Sequence, residues 1–124
     1  MIDHVSIGTH DFTSAVAFYT ECFEPLGYRL QHLDAGQAIF GANGHWSFCI
    51  YPADADARLT GHRAHLAISA PSCAAADAFH EAALAQGATS LRAPGPRPDI
   101  NAEYYGSMIA DLDGHTIEVV HWQR

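Results

Sequence analysis

The feature of this sequence that most constrains its fold is an internal repeat with a separation of 61 residues. Segment 65–68 (HLAI) repeats segment 4–7 (HVSI), and the helical run 76–80 repeats the run 15–19. Gly87 matches Gly27 at a separation that is one residue shorter. Because the separation holds over two elements, it indicates an internal duplication in which each half is one structural unit.

Each half is predicted to contain one strand, one helix and three further strands. The apolar periodicity and turn residues place the first-half strands at 2–8, 28–34, 37–41 and 46–51. The helix between the first two strands is predicted to be capped by Asp11 or Thr13 and to end at Gly27, with its last turn broken by Pro25. The second-half strands are placed at 65–68, 89–92, 104–110 and 116–122, with a helix around 76–80. Segment 52–61 is predicted to be a linker, and segment 93–102, with three prolines, a lid or rim loop. The fold class is therefore α+β, as one domain of two tandem βαβββ modules, module 1 (residues 1–52) and module 2 (residues 62–124).

Composition and charge exclude several classes of partner. The chain has 124 residues, 48% hydrophobic and 16% charged, which is typical of a globular domain with a core of its own. The chain has fourteen acidic residues but only six basic ones, all arginines, and its net charge of -8 opposes binding to nucleic acid or anionic membranes. There is no long apolar run or signal-peptide pattern, and the three cysteines form no Cys-x-x-Cys motif. We therefore expect a cytoplasmic protein with reduced thiols.

Two of the nine histidines stand out because the repeat places them at equivalent positions. His4 and His65 each lie in the first strand of a module, on the face opposite its apolar side chains, and Glu118 lies in a last strand that is otherwise apolar. A buried carboxylate is costly unless a cation or hydrogen-bond donors lie beside it. Two histidines and one carboxylate on three strands are a ligand set for a divalent first-row metal. The other histidines lie at a helix entrance, at hairpin turns or on a helix, or have no matching partner. They are expected at the solvent-exposed surface or the rim, although His62 is near enough in sequence to substitute for His65.

Together these motifs resemble the vicinal oxygen chelate superfamily, which includes glyoxalase I, bleomycin and fosfomycin resistance proteins and extradiol dioxygenases. The resemblance covers nearly the whole chain and is carried by the opening 3–5 (DHV), helix residues 17–19, the middle segment 65–68 and the ending 111–119 (DLDGHTIEV). It implies a glyoxalase-like fold, in which paired modules with curved mixed sheets form a metal-centred cleft, often in a homodimer.

The resemblance implies that His4, His65 and Glu118 are metal ligands and that Glu118 is a candidate catalytic base. Glyoxalase I has a fourth ligand, a carboxylate on the last strand of the first module. That position falls on Phe48, or on Cys49 after a shift of one residue, and neither is a carboxylate. This departure argues against lactoylglutathione lyase activity and leaves a three-ligand set like that of the dioxygenases and the fosfomycin transferases.

Two functions are compatible with these residues. In the first, a divalent ion (Zn, Ni, Mn or Fe(II)) chelates two neighbouring oxygens of a small substrate and acts as a Lewis acid in a lyase, isomerase or dioxygenase reaction. In the second, the cleft only sequesters a drug or metabolite, as bleomycin resistance proteins do. The complete His-His-Glu set favours the first, while the acidic composition is compatible with the second. The sequence leaves open whether the cleft lies within one chain or between two.

Overall fold

The computed structural model describes all 124 residues and contains two βαβββ modules. Module 1 consists of β1 (Val5–Thr9), α1 (Phe12–Phe23), a 3₁₀ turn (Glu24–Leu26), β2 (Arg29–Leu33), β3 (Ala38–Gly41) and β4 (Phe48–Pro52). Module 2 consists of β5 (His65–Ser69), α2 (Cys73–Ala85), β6 (Thr89–Pro96), β7 (Tyr104–Ala110) and β8 (Thr116–Trp122). The predicted α+β fold with tandem βαβββ modules is confirmed.

Each module has its own open four-stranded sheet, and the two sheets have equivalent topologies. The strand orders are β1-β4-β3-β2 and β5-β8-β7-β6. In each sheet the first strand pairs in parallel with the last strand, and the other pairings are antiparallel. Both modules therefore leave their first strand, β1 or β5, at the edge of a sheet.

Local sequence signals explain how the first helix begins and ends. Asp11 caps α1 by accepting a hydrogen bond from the Ser14 backbone N–H at 3.0 Å. The α-helix ends at Phe23 rather than at the predicted Gly27, because Pro25 has no N–H for the α-helical ladder, and a 3₁₀ turn follows. Gly27 then adopts the left-handed conformation (φ 80°) that ends the turn.

Strand β6 is longer than the sequence predicted and shortens the proline-rich loop. It runs to Pro96 instead of ending at residue 92, so the predicted loop 93–102 begins only after residue 96. Because β6 is an edge strand, its prolines remove no hydrogen bond from a central ladder. Two register shifts, between Ser90 and Arg92 and between Arg92 and Gly95, accommodate the irregular backbone.

The two modules share one hydrophobic core. Its 18 buried residues come from both modules, and α1 and α2 contact each other as well as the sheets of their own modules. Phe23 of α1 and Phe79 of α2 stack with ring centroids 6.4 Å apart. Neither helix is long and apolar enough to cross a membrane.

Strands β1 and β5 lie along each other in opposite directions. One pocket between the modules is lined by residues 6–8 of β1 together with residues 64–66. A second pocket is lined by Val5 together with residues 67–69. The start of each edge strand therefore lies beside the end of the other, and we call this boundary the β1/β5 seam.

Candidate functional site

Glu118 is a buried carboxylate on the face of the module 2 sheet that is turned away from the helices. Its neighbours in β8, Ile117 and Val119, belong to the core, whereas its own side chain is 7% exposed. Its Oε1 atom accepts hydrogen bonds from Arg92 Nη2 at 3.0 Å and from the Tyr104 hydroxyl at 2.8 Å. The expectation that Glu118 has a cation and donors beside it is therefore confirmed, and its Oε2 atom is left without a donor.

His65 lies directly beside that second oxygen. The distance from His65 Nε2 to Glu118 Oε2 is 3.6 Å, which is too long for a hydrogen bond. The other ring nitrogen, Nδ1, lies 3.4 Å from the Arg63 carbonyl oxygen. Since a carbonyl oxygen only accepts, this contact assigns a proton to Nδ1, so that in the neutral form of the ring the lone pair is on Nε2. Two acceptors then face each other, an arrangement that a cation between them would stabilise.

The structure does not bring His4 to this pair. His4 Nδ1 contacts Asp3 Oδ1 at 2.8 Å, and the His4 side chain is 56% exposed. At the β1/β5 seam His65 lines the same pocket as Gly8, and His4 is four positions before Gly8 along an extended chain, a distance of roughly 13 Å. No three His, Cys, Asp or Glu side chains of the chain are arranged to hold a metal ion. In one chain, His4 and His65 are therefore at opposite ends of the seam.

Cys49, and not Phe48, occupies the module 1 position that corresponds to Glu118. In module 2, Glu118 pairs with the residue two positions after His65. In module 1, Cys49 pairs with the residue two positions after His4. Phe48 belongs to the core on the opposite face. The shifted register therefore holds, and the module 1 position equivalent to Glu118 carries a thiol.

Arg92 was not predicted from the sequence. It pairs across the sheet with Met108, which in turn pairs with Glu118, so that the three side chains lie in one row. The signal in the sequence was Glu118 itself, because a buried carboxylate requires a cation or hydrogen-bond donors beside it. The register shifts on both sides of Arg92 prevented its face of the strand from being assigned by simple alternation.

Two of the histidines that were expected to be exposed are buried. His80 is 8% exposed and its Nε2 contacts Ser90 Oγ at 2.7 Å, and desolvation lowers the pKa of His80. His115 is also 8% exposed, and its Nε2 donates to the Gly8 carbonyl oxygen at 2.7 Å. Both expectations were wrong because each ring finds a polar partner on another element, which sequence spacing does not show.

Aromatic and charged side chains of module 2 lie near Glu118. The Tyr104 ring packs edge-on against Trp122, with centroids 4.9 Å apart. Desolvation, together with the hydrogen bond to Glu118, raises the pKa of Tyr104 to about 12, so its hydroxyl remains a donor at neutral pH. Arg97 is tied to Asp99 by two hydrogen bonds of 2.8 and 2.6 Å. The seam pocket beside His65 has a volume of about 220 Å³.

The duplicated fold defines the class of proteins that are built from paired βαβββ modules. The family model of the Glyoxalase/Bleomycin resistance protein/Dioxygenase superfamily matches residues 1–119, so this chain belongs to that superfamily. The resemblance noted in the sequence is therefore confirmed. No curated protein matches the chain.

Solved structures of the same fold span the whole chain. A glyoxalase/bleomycin resistance protein from Albidiferax ferrireducens T118 is 26% identical, with a TM-score of 0.83 over 96% of both chains. A glyoxalase/bleomycin resistance protein/dioxygenase family enzyme from Burkholderia phytofirmans PsJN is 18% identical, with a TM-score of 0.74 over 98% of both chains. A genomically encoded fosfomycin resistance protein from Listeria monocytogenes is 20% identical, with a TM-score of 0.71 over 98% of this chain and 92% of that one. The last two likenesses establish the fold alone.

Proposed function

We propose that this protein is a divalent-metal-dependent enzyme that acts on a small substrate through two neighbouring oxygens. The observation that carries the proposal is the 3.6 Å separation of His65 Nε2 and Glu118 Oε2 without a hydrogen bond. Two ligand atoms that each lie about 2.1 Å from one tetrahedral metal ion are about 3.4 Å apart. In metal sites the ligating histidine commonly donates its other N–H to a carbonyl or carboxylate, as His65 Nδ1 does here. The donor pair therefore fits a divalent ion.

His4 is the proposed third ligand, and a second copy of the chain is its proposed source. Within one chain the seam separates His4 from His65, yet the His4 side chain is exposed and can reach a partner. This assignment makes the protein a homodimer in which each metal site combines module 2 of one chain with His4 of the other.

The residues around the site have separate roles in this proposal. His65 and Glu118 would hold the ion, which supplies Lewis acidity toward the substrate oxygens when it is bound. Arg92 and Tyr104 fix Glu118 through Oε1, so that Oε2 is the atom available to bind the ion or to take up a proton. The seam pocket beside His65 provides space for a small molecule. The same N/O donor set is compatible with Zn, Ni, Mn or Fe(II).

A second candidate function is the metal-free binding of a small molecule, as the bleomycin-resistance name of the superfamily suggests. The observation that favours it is the ion pair between Arg92 and Glu118 at 3.0 Å, which compensates the buried carboxylate without a metal. For either function we propose a cytoplasmic location, since all three cysteines are free thiols.

Cobalt(II) binding to the purified protein tests the two functions. We expect the wild type to bind one ion per chain, with the absorption spectrum of a site that has nitrogen and oxygen ligands. His65→Ala and Glu118→Gln should each weaken binding by at least about tenfold, in line with the loss of one ligand. His62→Ala is the matched control and should bind as the wild type does. A wild type that binds no Co(II), Zn(II), Ni(II) or Mn(II) would reject the enzyme proposal in favour of metal-free binding.

The variant His4→Ala tests the proposed third ligand in the same titration. We expect weaker Co(II) binding while the molecular mass in solution remains that of a dimer. Unchanged Co(II) affinity would remove His4 from the ligand set, and a monomeric wild type would contradict its supply by a second copy.

A further inference from the structure

We propose that Arg92 makes this site selective for anionic chelators. The favoured ligand would be a small molecule that presents two neighbouring oxygens with at least one negative charge, such as a carboxylate with a hydroxyl or carbonyl group on the next carbon. This inference rests on the metal-dependent function proposed above and concerns the charge of its substrate.

The charged side chains at the site cancel one another before any metal is added. Arg92 and Glu118 form one ion pair at 3.0 Å, and Arg97 and Asp99 form a second at 2.6 Å. His65 is neutral when its Nδ1 proton is directed to a carbonyl oxygen and its Nε2 lone pair is free. These module 2 side chains therefore supply a net charge of zero to the ion, and Asp3, which contacts His4, would add one negative charge where the partner's His4 is the third ligand.

The consequence is that the module 2 side chains alone would leave the double charge of a divalent ion uncompensated. In a site with the same carboxylate but no arginine, the ion and its ligand would carry a single positive charge. The ion would lie between Glu118, which is 7% exposed, and His65, which is 48% exposed, so water screens its remaining positive charge only in part. An anionic chelator is attracted by that charge, whereas a neutral chelator is not.

Arg92 also has hydrogen-bonding capacity that the fold does not use. A guanidinium carries five N–H donors, and Arg92 donates to one protein acceptor, Glu118 Oε1, through Nη2. Its Nε atom is buried and has no acceptor. The Arg92 side chain is 29% exposed, so part of it is accessible to solvent. Tyr104 differs, since its single hydroxyl proton is already donated to Glu118.

Matched neutral and anionic chelators test the inference on Co(II)-loaded protein. The probes are oxalate against oxamide and glycolate against glycolamide, with dissociation constants measured by calorimetry. For the wild type we expect the anion of each pair to bind more tightly. In Arg92→Met the ratio of the two constants should fall by about tenfold, because one positive charge near the bound anion is lost. Arg92→Lys, which keeps the charge, should retain most of the ratio.

Metal affinity provides a second readout that does not depend on the chelators. In Arg92→Met the apo protein should bind Co(II) more tightly than the wild type, because Glu118 no longer shares its charge with an arginine. Weaker Co(II) binding in this variant would show that Arg92 only positions Glu118 and would overturn the inference. An unchanged ratio of chelator constants in a metal-binding Arg92→Met protein would overturn this inference alone. Absence of metal uptake by the wild type would overturn the proposed function as well.

Discussion

At the scale of single residues, the buried Tyr19 hydroxyl links the first helix to the last hairpin. It donates to Asp111 Oδ2 at 2.5 Å, while Asp111 Oδ1 accepts from the backbone N–H groups of Asp113 and His115. Tyr19 is 1% exposed and Asp111 is 8% exposed. Burial and the neighbouring Asp111 charge both raise the pKa of Tyr19.

The substitution Tyr19→Phe is expected to destabilise the protein by about 1–3 kcal/mol, because it leaves a buried carboxylate oxygen without its donor. Urea unfolding at pH 7 measures this loss. Tyr28→Phe is the matched control, since no hydrogen bond is formed by the Tyr28 hydroxyl, and it should change the free energy of unfolding by less than about 0.5 kcal/mol.

The raised pKa of Tyr19 also predicts how the stability difference between the wild type and Tyr19→Phe changes at alkaline pH. Because the pKa of Tyr19 is higher in the folded than in the unfolded protein, its stabilisation is complete below the unfolded value near 10 and is lost as the pH rises above it. The difference in unfolding free energy between wild type and Tyr19→Phe should therefore shrink above about pH 10. A constant difference up to pH 11 would show that this hydroxyl is not held protonated by the fold.

Residues differ in how far the sequence could reveal their roles. The duplication marked His4 and His65, and a carboxylate in an apolar strand marked Glu118, because both signals depend on local pattern. The placement of His4 away from the other two depends on how the modules meet, which is a tertiary property. Arg92 escaped prediction for a related reason, since strand irregularities on both sides of it break the alternation of faces.

At the scale of elements, the second helix depends on a single capping residue. Ser72 precedes α2 with extended backbone angles, and its Oγ accepts a hydrogen bond from the Ala75 backbone N–H at 3.0 Å. The first turn of this helix contains no acidic residue that could replace the cap. The helix lies between the first helix and its own sheet, so its start is tied to the core.

The substitution Ser72→Ala should therefore lower the free energy of unfolding by about 1 kcal/mol, the usual cost of losing a serine cap. Thermal and urea unfolding measure the change. Ser72→Asn keeps a side-chain acceptor and should remain within about 0.5 kcal/mol of the wild type. Equal losses in the two variants would contradict a capping role and would assign the effect to packing at residue 72.

The elements themselves were largely predictable, and the exceptions have identifiable causes. The strand and helix order follows from apolar periodicity. Asn43 and Gly44, a pair of residues typical of turns, lie between β3 and β4 and have positive φ angles of 53° and 77°. The extension of β6 through residue 96 was not predictable in the same way. Prolines ordinarily end a strand, and only the position of β6 at the sheet edge lets the strand continue through them.

At the scale of the whole molecule, the two modules depend on each other for their core and for buried polar contacts. The Thr9 hydroxyl donates to Asp113 Oδ2 at 2.6 Å, and His115 Nε2 donates to the Gly8 carbonyl oxygen at 2.7 Å. These bonds join the end of β1 to the hairpin between β7 and β8. The shared core of 18 residues contains side chains from both helices and both sheets.

Neither half of the duplicated chain is therefore expected to fold alone. A unit of about 60 residues buries a smaller fraction of its surface than a chain of twice that length, and here each half would also expose the core face that packs on the other. Residues 1–60 and 62–124, produced separately, should lack the dispersed NMR spectrum of a folded protein. Mixed at equal concentrations, they should recover the spectrum and the single cooperative unfolding transition of the intact chain. A folded spectrum from either half by itself would show that the module, rather than the pair, is the cooperative unit.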